Sequence, residues 1–148
     1  MPNYSAPERM LDNPVQLAVF TYGQDAVAAD QTDVNLPRAI GEASQAVSTF
    51  VAPFAGCIVA MGATFSATGT AGTITIGVTK NGTEVAATTQ TLTAAVTMSE
   101  GYAAFGRTVL TFAAGDNIGV QITTNSDWDA TTADLSVDVY ALFEVTGV

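Results

Sequence analysis

Residues 73–80, Thr-Ile-Thr-Ile-Gly-Val-Thr-Lys, alternate apolar and polar side chains and run straight into Asn81-Gly82. A second extended run starts at Thr83. Asn-Gly between two such runs is the strongest short-range signal for a two-residue hairpin, because a type I′ turn needs positive φ at both central positions. A period of two places Ile74, Ile76 and Val78 on one face, as in a strand with one buried side. The rest of the chain must therefore supply strands that cover that side.

The composition agrees. The 148 residues include 25 Ala, 22 Thr and 16 Val. The branched Cβ of Thr and Val fits a pleated surface, and long helical periodicities are missing. Hydrophobic residues reach 48% against 12% charged, with a mean hydropathy of +0.32. This is not the composition of a disordered chain. No stretch of about 18 residues is apolar enough to read as a membrane span. The N-terminus shows no basic segment followed by an apolar one, so no secretory signal is expected.

Reading for period two predicts eight strands: residues 15–22, 46–52, 57–66, 73–80, 83–91, 107–112, 117–122 and 135–143. Residues 92–106 form a Thr- and Ala-rich connection. Residues 113–116, Ala-Ala-Gly-Asp, make a turn in which Asp116 bonds its own backbone. Residues 125–133 form a polar loop around Trp128. Residues 38–46 have the pattern of a short helix. Along 57–66, Ile58, Ala60, Gly62 and Thr64 fall on one side, and Val59, Met61, Ala63 and Phe65 on the other. The expected architecture is an all-β, eight-stranded jelly-roll sandwich spanning residues 15–148, with an irregular N-terminal arm over residues 1–14. Tyr4, Met10 and Leu11 are apolar anchors on the proline-broken arm. The arm reads either as a frayed terminus or as a segment that orders on a neighbour. The second face of the last strand carries Asp138, Tyr140, Leu142 and Glu144. It is more apolar than a solvent face requires, which marks Tyr140 and Leu142 as subunit-interface residues.

Charge and residue chemistry exclude several functions. Four Lys plus Arg face fourteen Asp plus Glu, a net charge of −10. Such a surface repels nucleic acid and anionic membranes. No His is present to act as a general acid or base, or as a metal ligand. A single Cys can form neither an intrachain disulfide nor a zinc cluster. Cys57, inside a strand pattern, reads as a small buried hydrophobe. Asp127, Asp129 and Asp134 could offer oxygen ligands to calcium, but the loop lacks the EF-hand glycine and glutamate. It reads as a solvated loop. Asp25, Asp30 and Asp33 have still less to recommend them, and carboxylate pairs for hydrolysis would arise by chance among fourteen acids. The glycosylation-type triplets at Asn3 and Asn81 have no significance without a signal peptide. No glycine-rich phosphate loop opens a helix. No enzyme, metal or cofactor is expected. Trp128 within Asp127-Trp-Asp129 remains open: it is either a partner-contact loop or a cap on the end of the barrel.

Three passages carry a family resemblance. Phe50-Val-Ala-Pro53-Phe-Ala-Gly56-Cys-Ile58-Val resembles the first strand motif of C1q/TNF-like jelly rolls. Val78-Thr-Lys80-Asn81-Gly82-Thr83-Glu-Val85 resembles their Lys-Asn-Gly hairpin. Leu110-Thr-Phe-Ala-Ala-Gly115-Asp116-Asn-Ile118-Gly-Val120 resembles their Gly-Asp turn. Order and spacing agree over residues 46–145. Cys57 and Ile58 stand where the family has aromatics, and no collagen-like stalk precedes the domain. Modules of this kind resemble tailed-phage capsid decoration (cement) proteins. That resemblance implies a homotrimer on the outer capsid surface of the virion that bridges subunits of the major capsid protein. It also implies a protein made in the host cytoplasm, with the arm as the capsid-binding segment. The competing implication is a C1q-like or fibre-tip head that recognises a carbohydrate or a cell-surface ligand.

Overall fold

The computed structural model describes residues 15–38, 49–95 and 101–145. The arm with Tyr4, Met10 and Leu11, and the helix expected at 38–46 apart from Arg38, lie outside the described residues.

Eleven strands form two antiparallel sheets. They are β1 (Val15–Gln24), β2 (Val34–Asn35), β3 (Thr49–Val51), β4 (Gly56–Phe65), β5 (Thr73–Lys80), β6 (Thr83–Glu84), β7 (Gln90–Thr93), β8 (Ala103–Ala104), β9 (Leu110–Phe112), β10 (Asn117–Thr124) and β11 (Leu135–Glu144). The first sheet runs β1-β11-β4, with β8 and β9 sharing the far edge of β4. The second runs β10-β5, with β2 and β3 sharing the edge of β10, and β6 and β7 that of β5. Each shared edge counts as one strand position, so the eight expected strands are all present. The long strands β1, β4 and β11 lie in the first sheet and β5 and β10 in the second, and the chain wraps a single β sandwich.

The interior follows from parity. Ile74, Ile76 and Val78 of β5 meet Val137, Val139 and Ala141 of β11 in the same fully buried cluster, with Ile118, Val120 and Ile122 of β10. One half of this core is aromatic. The Phe20 and Phe50 rings stack, and Phe143 stands edge-on to both and to Phe112. Tyr22 crosses the sandwich toward this cluster, and its hydroxyl donates to the carbonyl of Ile118, the residue paired with Phe50, at 2.9 Å. Burial pushes the Tyr22 phenol far above its ordinary pKa, with Arg38 opposing. It stays neutral and keeps its proton to donate.

Two local features depart from simple alternation. The register between β11 and β4 shifts at Tyr140/Ala141, where one extra residue, Val59, is inserted opposite. This bulge turns Ile58 into the core together with Met61, although strict period two puts them on opposite faces. The return strand expected over 83–91 breaks after Glu84 into a 3-10 turn, Ala86–Thr88, before β7 resumes. Thr88 is buried there. Its hydroxyl accepts from the Val78 N–H at 3.0 Å and donates to the Val85 carbonyl at 2.8 Å, replacing the ladder bonds lost at the break.

The hairpin forms as its sequence requires. Asn81 has φ 52° and Gly82 φ 80°. Replacing Gly82 by Ala places a Cβ in the left-handed region at a cost of about 1 kcal/mol. Urea unfolding of Gly82→Ala is expected to shift by that amount with an unchanged slope.

Candidate interaction surface

The two sheets have opposite outer faces. On the second sheet, Thr75 stands between Thr91 and Thr123, and Thr73 faces Thr93. Gln121 donates to the Glu84 carboxylate at 3.1 Å, which lies across Gly77. This face is polar and suited to water.

The first sheet is different. Register places Leu17 beside Leu142, then Cys57 and Thr111. The next row is Val19, Tyr140, Ala60 and Ala104. Val15, Leu17 and Val19 are 44%, 57% and 49% exposed. Tyr140 and Leu142 are half-buried beside them. Both expected interface residues thus lie on one uncharged apolar patch with β1, which sequence reading had not connected to them. Nearer the other end the same face turns polar, where Thr21 donates to Asp138 at 2.5 Å. A shallow cavity of about 80 Å³ lies beside the patch, lined by Val15, Cys57, Leu142, Arg107 and Glu144 among others. Cys57 is buried at its edge. Burial raises the thiol pKa, Arg107 pulls it down and Glu144 adds to the rise. Burial and Glu144 thus favour the neutral thiol.

The loop at 125–134 resolves the two readings of Trp128. The indole is only 3% exposed. It packs on Phe65 and donates its N–H to the Val27 carbonyl at 3.0 Å. Trp128 caps the sandwich from inside and is not part of a contact surface. An aromatic in a polar stretch looks exposed in sequence because the apolar neighbours that cover it, Val27 and Phe65, lie far away along the chain. Asp129 is committed as well. Its carboxylate accepts from the Thr70 hydroxyl at 2.6 Å and from the Thr70 and Ala71 N–H groups at 2.8 and 3.1 Å. Asp134 accepts from the Ala26 N–H at 3.0 Å. Asp127 alone of the expected contact residues is exposed with a free carboxylate among the described residues. No group of three or more His, Cys, Asp or Glu among the described residues is arranged to hold a metal ion.

Asp116 is the turn residue expected, and it does more. Its Oδ2 accepts from the Ala113 N–H at 2.8 Å, and its Oδ1 from the Asn81 amide at 2.9 Å. Lys80 Nζ stands 3.4 Å away and donates to the Thr111 carbonyl. The carboxylate therefore ties the 81–82 and 113–116 turns together.

No family model matches the chain, and no curated protein matches it. Among solved structures, one described as the cyanophage Pam1 capsid asymmetric unit is similar at 13% identity, over 97% of this chain and 99% of that one, with a TM-score of 0.47. A likeness of this degree decides neither fold nor function.

Both turn carboxylates are held below the usual Asp range, Asp116 chiefly by Asn81 and the Ala113 N–H, Asp129 chiefly by the Thr70 hydroxyl and the 70–71 N–H groups. A depressed folded-state pKa stabilises above the unfolded value and is lost as pH falls through the folded one. The melting temperature is therefore expected to drop on acidification below the ordinary carboxylate range. Asp116→Asn/Asp129→Asn should melt lower at neutral pH and lose less on acidification. Parallel acid profiles for the two proteins would contradict this.

Proposed function

We propose that the chain is a structural virion protein, a homotrimeric decoration (cement) protein that binds the outside of a phage capsid and bridges major capsid subunits. On this reading its work is adhesion, with no catalytic step and no cofactor. The single observation that carries it is the uncharged apolar patch on the outer face of the first sheet, around Leu17, Val19, Tyr140 and Leu142. A contiguous apolar surface on a strongly acidic chain calls for a partner. Three copies meeting through this patch bury an uncharged surface, where like charges do not oppose association.

The strand order supports the family reading. Numbering the eight strand positions along the chain, the sheets run 1-8-3-6 and 2-7-4-5, the order of a jelly roll. The capsid as partner comes from the motif resemblance at residues 50–59, 78–85 and 110–120. A trimer that contacts several capsid subunits stabilises only the assembled shell, by mass action and by avidity. The alternative, a ligand-recognising head, loses its aromatic contact with the burial of Trp128.

Native mass spectrometry is expected to find three chains. Leu17→Glu/Leu142→Glu puts six carboxylates into the trimer contact and should yield folded monomer. Undecorated capsids mixed with the wild-type protein should pellet it saturably, and removal of residues 1–14 should weaken pelleting while the trimer persists. A monomeric wild type, or protein left wholly in the supernatant, would overturn the reading.

A further inference from the structure

Asparagine amides are chemically labile, and the residue that follows decides how exposed each one is to attack. Asn81 is followed by glycine, and the other five asparagines by Tyr, Pro, Leu, Ile and Ser. Glycine has no Cβ to shield its own backbone nitrogen. The 81–82 and 113–116 turns lie at one end of the sandwich beside the apolar 51–55 connection. The loops at 25–33 and 125–134, which hold six of the Asp residues, lie at the other.

The hairpin displays Asn81-Gly82 to water, since both residues are exposed. Beyond its chain neighbours, a Cβ added at Gly82 would meet no atom within 4 Å. The Gly82 N–H donates to no group among the described residues. It can therefore lose its proton without first breaking a hydrogen bond. The Asn81 amide, by contrast, is held. Its Nδ2 donates to Asp116 Oδ1 at 2.9 Å, and its Oδ1 accepts from the Asn117 N–H at 2.9 Å. Asp116 is fixed in turn by the Ala113 N–H at 2.8 Å and faced by Lys80 Nζ at 3.4 Å. The side chain must release these partners before its Cγ can close on the Gly82 nitrogen.

We propose that Asn81 is a site of spontaneous, one-way deamidation, and that Asp116 sets its rate by holding the amide. Hydroxide takes the Gly82 amide proton, and the nitrogen attacks Asn81 Cγ to form a C–N bond. The Cγ–Nδ2 bond breaks, and Nδ2 leaves as ammonia with a proton from water, which restores the hydroxide. Water then opens the five-membered imide at either carbonyl and leaves aspartate or isoaspartate at position 81. Neither product restores the tie. Aspartate sets a second carboxylate where Nδ2 faced Asp116, and the like charges repel with Lys80 as their one facing cation among the described residues. Isoaspartate adds a methylene to the main chain of a two-residue turn, whose geometry depends on its length. Conversion therefore unties the 81–82 turn from the 113–116 turn for good. The proposal does not rest on the virion reading.

The experiment incubates the intact protein in mildly alkaline buffer, folded and in urea, and follows amide-to-acid conversion by peptide mass mapping. In urea, Asn81 is expected to convert first. In the folded protein it should convert at least about tenfold slower, the factor for one charge-assisted hydrogen bond. Asp116→Ala, folded by circular dichroism, should recover most of that factor while Asn125 keeps its wild-type rate. Asn81→Asp makes the product directly and needs no Asp116 variant. It should melt lower than wild type at neutral pH. A carboxyl whose pKa is raised by a facing charge destabilises above its folded pKa, so the deficit should shrink on acidification. Folded protein whose Asn81 stays an amide over many half-times of the urea sample would overturn the site. Equal rates folded and in urea, or an unchanged rate in Asp116→Ala, would overturn the hold by Asp116. Asn81→Asp melting like wild type would overturn the untying.

Discussion

A strand presents two faces, and the first sheet of this protein is apolar on both over half its length. That constraint governs the rest. The inner face closes against the second sheet, so Val137, Val139 and Ala141 disappear into one core with Ile74, Ile76 and Val78. The outer face has Leu17, Val19, Tyr140 and Leu142, and no described segment lies over them. The second sheet meets the same geometry with threonine and glutamine and needs no cover. The asymmetry between the sheets sets one apolar outer face against one polar one. It is written in alternate residues of β1 and β11.

The carboxylates divide into those that build the fold and those that surround it. Asp116 and Asp129 each hold backbone N–H groups and a neighbouring side chain across a turn. They substitute for contacts that a small loop cannot make with apolar atoms. Several of the others crowd at one end, where they give the molecule an electrical direction along its strands. The opposite end sets Lys80 against Asp116 and Arg107 near Glu144, so charge there is balanced.

Much of this was legible in the sequence where the rule is local. Asn81-Gly82 gave its turn because positive φ at two adjacent positions has few chemical solutions. Asp116 gave its turn by the same local logic, and the parity of β11 marked Tyr140 and Leu142. What depends on distant partners was not legible. The Val59 bulge is set by where β11 lies against β4, and only that register tells that Ile58 faces inward. Thr88 repairs a break in the hairpin that β propensity alone does not reveal. Trp128 looked as much like a contact residue as a cap until Val27, 101 positions away, was found to accept its proton. The gathering of acids at one end and apolar turns at the other follows from the strand order, which no single segment encodes.

Hydroxyl-radical footprinting of the intact protein tests the central claim most directly, because it reads side-chain exposure in the assembled state. Leu17 is 57% exposed and Tyr102 66% in the single chain. If the outer face of the first sheet is buried between copies, Leu17 and Tyr140 will resist oxidation like core residues while Tyr102 reacts freely. Leu17 oxidised as readily as its single-chain exposure allows, at micromolar protein, would contradict the account.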